Sequence, residues 1–291
     1  MLDQANRLRS MVATKEDSGG RARVITVTSG KGGVGKTNFA LNLAIQLARY
    51  GKRIVIVDAD IGLANVEVLF GIIPRYSIAD VLDGSRTMEQ IITEGPMGIK
   101  FVSGGSGLSE LISITDDDRL AMLDKLEYLE QIADIIIVDT GAGISKTVLS
   151  FIRAAEEVIF VVTPEPTSIT DAYALIKTVK AEYTDALPDF KVVVNRVDSS
   201  DEGNEIFTKL AKVSDKFLNV KLEMLGHIPM DMQLVKAVKK QQPVSICYPN
   251  SGVTKAIQVV ALKLLQKHDE DGKNKSGIKG FIRKLSTIFN N

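Results

Sequence analysis

The chain has 291 residues, of which 45% are hydrophobic and 25% charged, and its 36 basic side chains balance 36 acidic ones to a formal net charge of zero. That balance argues against a surface built throughout for polyanions, so DNA is not an expected partner. No apolar run is long enough to span a bilayer and no signal-peptide core opens the chain, which makes a cytoplasmic globular protein the expectation. The single cysteine, Cys247, excludes an intramolecular disulfide and a multi-cysteine metal or iron–sulfur centre, and reads as a small apolar residue near a strand end.

Residues 1–22 are polar and precede the first strand. Leu2, Ala5, Leu8 and Val12 would share one side of a short helix, although a frayed terminus fits the composition equally. Arg23 to Ser29 reads as a strand, and Gly30-Lys31-Gly32-Gly33-Val34-Gly35-Lys36-Thr37 fits the phosphate-binding pattern G-x-x-x-x-G-K-[ST]. A helical run, Phe39 to Ala48, follows, which is the strand–loop–helix context the motif requires. Glycine lets backbone N–H groups close on phosphate oxygens, and the helix N-terminus adds its positive dipole end. The phosphate cradle therefore comprises Gly32, Gly33, Val34, Gly35, Lys36, Thr37 and Asn38, with Lys36 on the β- and γ-phosphates and the Thr37 hydroxyl on Mg²⁺. Lys31 is a second loop lysine that the general pattern does not need. It would neutralise a phosphate in its own site or in a facing subunit, or stand as a solvated charge.

Arg53 to Val57 is a continuous apolar strand, as in a parallel sheet covered on both faces, and ends in Asp58-Ala59-Asp60. Carboxylates at that strand end lie beside the phosphate loop. Asp58 is placed to orient Mg²⁺ waters and Asp60 to position the attacking water. Short helices are expected at Ile78 to Leu82 and Met88 to Thr93, a strand at Ile99 to Val102, a turn at Ser103 to Gly107, and a helix from Arg119 to Gln131. Asp134 to Val138 is a buried strand closing on Asp139, a second Mg²⁺ carboxylate, and Gly141 after it lets an N–H approach a γ-phosphate. Glu157 to Thr163 is a strand, residues 164–168 a loop holding Glu165, and Asp171 to Tyr183 a helix. Phe190 to Val197 is a strand whose Asn195, followed by Arg196, offers an amide to a base edge. Val253 to Lys267 is a helix and 268–276 a charged linker. In Gly277 to Phe289 the residues Ile278, Phe281, Ile282, Leu285 and Phe289 form one apolar stripe, with Lys279, Arg283 and Lys284 off it. A basic amphipathic helix of this kind reads as a membrane-surface anchor, and a terminal helix packed on its own body has the same periodicity.

The sequence G-K-G-G-V-G-K-T resembles the deviant phosphate loop of the MinD/ParA family of dimerising ATPases. D-x-D-x-G-L-x-N from Asp58 and D-T-G-A-G from Asp139 are similar to that family's two switches. Asp3-Gln4-Ala5-Asn6-Arg7-Leu8-Arg9 resembles the activator segment of the flagellar branch of MinD-like ATPases, the FlhG (YlxH/FleN) family. The resemblance implies an α/β P-loop NTPase fold, with a mostly parallel sheet covered by helices on both faces, and hydrolysis of ATP to ADP with Mg²⁺. It implies an ATP-dependent homodimer in which Lys31 reaches the partner's phosphates, Asp60 is catalytic, Glu165 faces the partner's ribose, and Asn195 and Arg196 contact the base together with Pro229 and Asp231 of a second base-contacting loop, Gly226 to Asp231. Gln4 would act in trans on an FlhF-type GTPase of the signal-recognition class. Flagellar basal-body C-ring proteins and an anionic membrane are further implied partners, with the protein cycling between cytoplasm and the inner face of the cell membrane. The implied organisation is an activator segment at 1–22, the ATPase domain at 23–267, a linker at 268–276 and a membrane-targeting helix at 277–291. The implied role is control of flagellar number and placement. A MinD septum-placement ATPase or a ParA partition ATPase shares most of these features.

Overall fold

A computed structural model describes residues 21–60, 65–105, 107, 125–126, 128–182, 187–271 and 277–289. Strand β1 (Arg23–Ser29) leads through the phosphate loop into α1 (Lys36–Arg49) and β2 (Ile54–Ala59). Three short helices, α2 (Asn65–Phe70), α3 (Ile78–Leu82) and α4 (Met88–Ile91), precede β3 (Thr93–Glu94) and β4 (Lys100–Ser103). Then come β5 (Ile135–Ala142), α5 (Lys146–Ala154), β6 (Glu157–Val162), α6 (Pro166–Glu182), β7 (Asp189–Val197) and α7 (Ser200–Leu218). The chain closes with β8 (Glu223–Pro229), α8 (Met232–Lys239), α9 (Val244–Cys247), α10 (Gly252–Asp271) and α11 (Gly277–Phe289).

The eight strands form one sheet in the order β3-β4-β2-β5-β1-β6-β7-β8, parallel throughout except for β3 at one edge. Helices cover both faces, so strand residues alternate between two apolar layers. In β1, Val24 enters the layer under α3 to α7, while Ile25 and Val27 enter the layer under α1, α2 and α8 to α10. β1 lies between β5 and β6, where the chain order of the strands turns back. Its C-terminal end therefore opens into the crevice where α/β sheets bind ligands.

The opposite end of the sheet is closed by buried charges. The Arg23 guanidinium is bidentate to Glu157, with Nε 2.6 Å from Oε1. Lys191 Nζ donates to Glu157 Oε2 at 2.6 Å, and Arg23 Nη1 donates to the Leu264 carbonyl of α10 at 2.7 Å. One carboxylate thus joins β1, β6 and β7, and its arginine ties α10 to them.

Several boundaries differ from those expected. The 164–168 loop is shorter than read, because Pro166 opens α6; proline suits a first helical turn, where its missing N–H costs nothing. Residues 226–229 belong to the edge strand β8 rather than to a loop. Helix α4 stops at Ile91, and Thr93 pairs with Phe101. Helix α10 continues to Asp271, through part of the expected linker. Solvated residues extend a helix once its apolar face is docked, since propagation costs less than nucleation. Cys247 ends the short helix α9, not a strand, and its thiol donates to Gln242 Oε1 at 3.2 Å. The helix expected over 119–131 falls mostly outside the described residues, as does Gln4.

The C-terminal stripe is packed on the body. Ile278, Phe281, Ile282 and Leu285 are all buried in the layer that holds α5, and the Phe281 ring stacks on Phe151 of α5 with centroids 6.1 Å apart. The Lys279 backbone N–H donates to Glu130 Oε1 at 3.4 Å. In this conformation the apolar face that read as a lipid contact is spent on α5 and β1, while Arg283 and Lys284 remain exposed. The Phe289 side chain lies outside the described residues.

Candidate functional site

The phosphate loop leaves β1 and is clamped from two sides. Gly30 lies against the backbone of α6, where a Cβ would come within 2.3 Å of the Asp171 carbonyl carbon, so the first loop residue must be glycine. Gly35 has φ +91° and precedes the first turn of α1. A Cβ there would also meet Asn195 Nδ2 at 2.6 Å. Asn195 Nδ2 donates to the Val34 carbonyl at 2.8 Å, and its Oδ1 accepts from Arg196 N–H at 2.9 Å. Arg196 itself has φ +60°, a left-handed conformation that turns the chain back over the loop. The Gly143 N–H donates to the Ser29 carbonyl at 3.0 Å, which fastens the segment after Asp139 to the base of the loop.

Above this platform is a cavity of about 550 Å³ lined by Gly32, Gly33, Gly35, Lys36, Thr37, Asn38, Asp60 and Arg196, together with Ser29, Leu69 and Ala142. The size and polar lining suit a nucleotide. Below it, β2 and β5 bring Asp58 and Asp139 into register as neighbours. Lys36 Nζ approaches Asp139 Oδ1 at 3.3 Å with both side chains buried. Burial pushes the Asp139 carboxyl above its ordinary range, and Lys36 and Thr37 oppose that rise. Burial also pushes Asp58 up, to about 7, with the Asp139 charge adding to it and the N–H groups of Asp60 and Val66 working against it. Asp58 Oδ1 accepts from Asp60 N–H at 3.0 Å. Asp60 Oδ1 lies 3.4 Å from the Cβ position of Gly141, so the catalytic candidate and the γ-phosphate candidate share one spot.

Asp139 Oδ2 is buried and lacks a hydrogen-bond partner. An orphaned carboxylate oxygen between a threonine hydroxyl and a second carboxyl is the donor set of a hard cation, so Thr37, Asp58 and Asp139 fit Mg²⁺. Among the described residues no group of three or more His, Cys, Asp and Glu side chains is arranged to hold a metal unaided. That suits an ion that keeps waters and takes phosphate oxygens.

Four expected site residues stand apart from this arrangement. Lys31 points away from the cavity: its ammonium is held by the Glu165 carboxylate and by Thr167 Oγ1, at 2.9 Å, in the same chain. The hydrogen bond and charge of Lys31 hold Glu165 below its ordinary carboxylate range. The two residues expected to cross to a partner thus satisfy each other. Asp231 is a helix cap: Oδ1 accepts from Gln233 N–H at 2.8 Å and Oδ2 from Val253 N–H at 3.3 Å, which joins α8 to α10. Pro229 ends β8 beside Gly252, outside the cavity. Sequence reasoning missed Ser29, Leu69 and Ala142. Ser29 flanks the phosphate loop and Ala142 lies within the D-T-G-A-G motif already in hand, whereas Leu69 carries no signal in the sequence.

A family model, the CobQ/CobB/MinD/ParA nucleotide-binding domain, matches residues 25–244. The chain belongs to the MinD/ParA family. It is 43% identical over 242 residues to the antiactivator FleN of Pseudomonas aeruginosa, covering 83% of this chain and 86% of that one. It is 34% identical to the flagellum site-determining protein YlxH of Helicobacter pylori over 98% of both chains. The MinD of the MinC:MinD cell division complex of Aquifex aeolicus superposes with a TM-score of 0.65 at 28% identity, covering 84% of this chain and 96% of that chain. A MinD from Pyrococcus horikoshii described as complexed with Mg-ADP has a TM-score of 0.67 at 22% identity, covering 87% and 99%, and bears on the fold alone. The chain is thus a FlhG-type, MinD-like ATPase of the MinD/ParA family.

Proposed function

We propose that this MinD/ParA ATPase is an ATP- and Mg²⁺-dependent dimerising switch that associates reversibly with the inner face of the cell membrane and sets the number and position of flagella. In this reading its first residues, through Gln4, stimulate an FlhF-type GTPase, and basal-body C-ring proteins are its downstream partners. The likeness to FleN and YlxH supports the flagellar assignment. ATP and Mg²⁺ supply the γ-phosphoryl group and the charge that polarises it. The chain's own residues do the remainder. The loop N–H groups and Lys36 would hold the phosphate oxygens, Thr37, Asp58 and Asp139 would hold the cation shell, Gly141 N–H would meet the γ-phosphate, and Asp60 beside it would orient water for in-line attack. The Asn195 amide retains one donor and one acceptor beyond its bonds to Val34 and Arg196, the complement of an adenine edge. The chain also lacks an N-K-x-D guanine signature.

The observation that carries the switch is the seat of α11. Its apolar stripe rests on α5, and α5 begins directly after the Asp139-to-Gly143 segment that closes the cavity. A shift of that segment toward a γ-phosphate moves the surface under Phe281. Release of α11 would expose a basic amphipathic helix whose single copy binds lipid weakly, and a dimer would present two. Co-sedimentation with anionic liposomes and solution mass, in ATP or ADP, test this for the wild type, Asp60→Ala and a chain ending before Gly277. ATP-dependent dimers that pellet, persist in Asp60→Ala and stay soluble without α11 are expected. A protein that is monomeric and soluble in every condition refutes the switch.

A further inference from the structure

Charge is balanced over the whole chain but not along it. From Met232 to His268 there is no aspartate or glutamate and no arginine, and six lysines give the stretch a charge of +6, leaving −6 on the rest. This stretch builds α8, α9 and most of α10, which lie together over one face of the sheet. The carboxylate before it, Asp231, has both oxygens taken by caps.

Helix α8 carries an unusual surface. Only Ala237 is fully buried. Met232, Val235 and Val238, three residues apart, are 66%, 41% and 37% exposed and form a stripe along the helix, and Ile246 of the adjoining α9 is a further exposed apolar side chain. Lys236, Lys239 and Lys240 are exposed along the flank of that stripe. Single exposed apolar residues are ordinary, but a continuous stripe edged by one sign of charge marks a contact surface.

We infer that α8 and α9 form a docking surface for an acidic amphipathic helix of another protein, whose apolar side chains lie on Met232, Val235, Val238 and Ile246 and whose carboxylates face Lys236, Lys239 and Lys240. Charge complementarity selects this occupant. A second copy of this surface brings lysines against lysines. The chain's own residues 1–20 carry three acidic and three basic side chains and so have no net charge to offer. Phosphate contacts do not draw on these four apolar side chains, and the stretch lacks the arginine that grips phosphate bidentately. A bilayer contact wants aromatic anchors, which the stripe lacks. Helix α8 also sits on the face of the sheet opposite α11, so one flat membrane does not reach both seats. Methionine at the head of the stripe adapts to a partner's shape.

The test uses the full chain in ADP and a fluorescein-labelled synthetic helical peptide with leucine on one face and glutamate on the other, read by anisotropy. Binding is expected, weakening with salt and lost when the peptide's leucines become serine. Val235→Asp and the double change Lys236→Glu with Lys239→Glu should each weaken it by about tenfold or more, the scale of a central contact worth more than about 1.4 kcal/mol. Lys212→Glu on α7 should leave it unchanged, and all variants should melt and bind nucleotide as the wild type does. No binding, or binding indifferent to the α8 changes, overturns the site. Binding of phosphatidylglycerol vesicles or duplex DNA that the same α8 changes abolish overturns the class of partner.

Discussion

Phe151→Ala separates the seat of α11 from α11 itself. Phe151 is buried in α5, and its ring is stacked on Phe281. Truncating a buried phenylalanine costs about 3–5 kcal/mol, and an aromatic pair contributes about 0.5–1.5 kcal/mol beyond area alone. Part of that cost falls on the α5–β1 core. The part that falls on the Phe281 contact shifts the docked–released balance of α11 by roughly tenfold for every 1.4 kcal/mol. The membrane-facing candidates Ile278, Phe281, Ile282 and Leu285 are unaltered in this variant, so lipid affinity of the released helix is retained. Amide hydrogen exchange in ADP is the assay. Protection over 278–285 should fall by one to two orders of magnitude, about 1.4–2.8 kcal/mol, while the amides of β5 and β6 remain slow. Liposome pelleting should then no longer require ATP. If α11 stays as protected as in the wild type while the core remains folded, the Phe151–Phe281 contact does not hold the helix and the seat described above is wrong.

Three further outcomes follow from the site and its supports. Gly30→Ala sets a Cβ within 2.3 Å of α6 backbone, which cannot move as a side-chain tip can; nucleotide binding by calorimetry should be lost while the sheet stays folded in circular dichroism. Asp58 has a folded pKa of about 7, raised from 3.8, so the stability it contributes is complete below about 3.8 and is lost as pH rises through 7. Without Mg²⁺ the melting temperature should therefore fall between about pH 4 and 7 and level off above that. The increment from Mg²⁺ with nucleotide should grow over the same range, and Asp58→Asn should flatten both trends. Glu157→Gln leaves Arg23 and Lys191 buried without their counter-charge, and denaturant titration should show a loss of about 3–5 kcal/mol.

The phosphate loop and the two aspartate-terminated strands were legible because their chemistry is local: glycines, Lys36 and Thr37 are contiguous, and Asp58 and Asp139 each end an apolar run. Continuous hydrophobicity in β2, β5 and β6 announced a parallel sheet covered on both faces. What was not legible depends on distant partners. Strand β8 alternates weakly at a sheet edge, so its residues 226–229 resembled a loop. Asp231 looked like a base contact because nothing in its neighbourhood reveals that Val253 completes its second bond. The C-terminal stripe has one periodicity for two uses, lipid or α5, and only the position of Phe151 shows which one this conformation adopts. Leu69 reaches the cavity because α2 folds back over it, which no spacing encodes.

The attachment of Lys31 to Glu165 and Thr167 bears on how two copies would meet. In one copy that ammonium is already matched, so the pull of the cavity on an anion comes from Lys36 and the loop N–H groups. A second copy that claims Lys31 must first take it from its own Glu165, so the encounter is an exchange of one carboxylate or phosphate neighbour for another, and only the difference between the two enters the association free energy. Solvent-exposed pairs of this kind are screened by water and contribute little net free energy, so the exchange is shallow in both directions. Association then hinges on whatever else enters between the two faces, and it reverses as soon as that contribution is withdrawn.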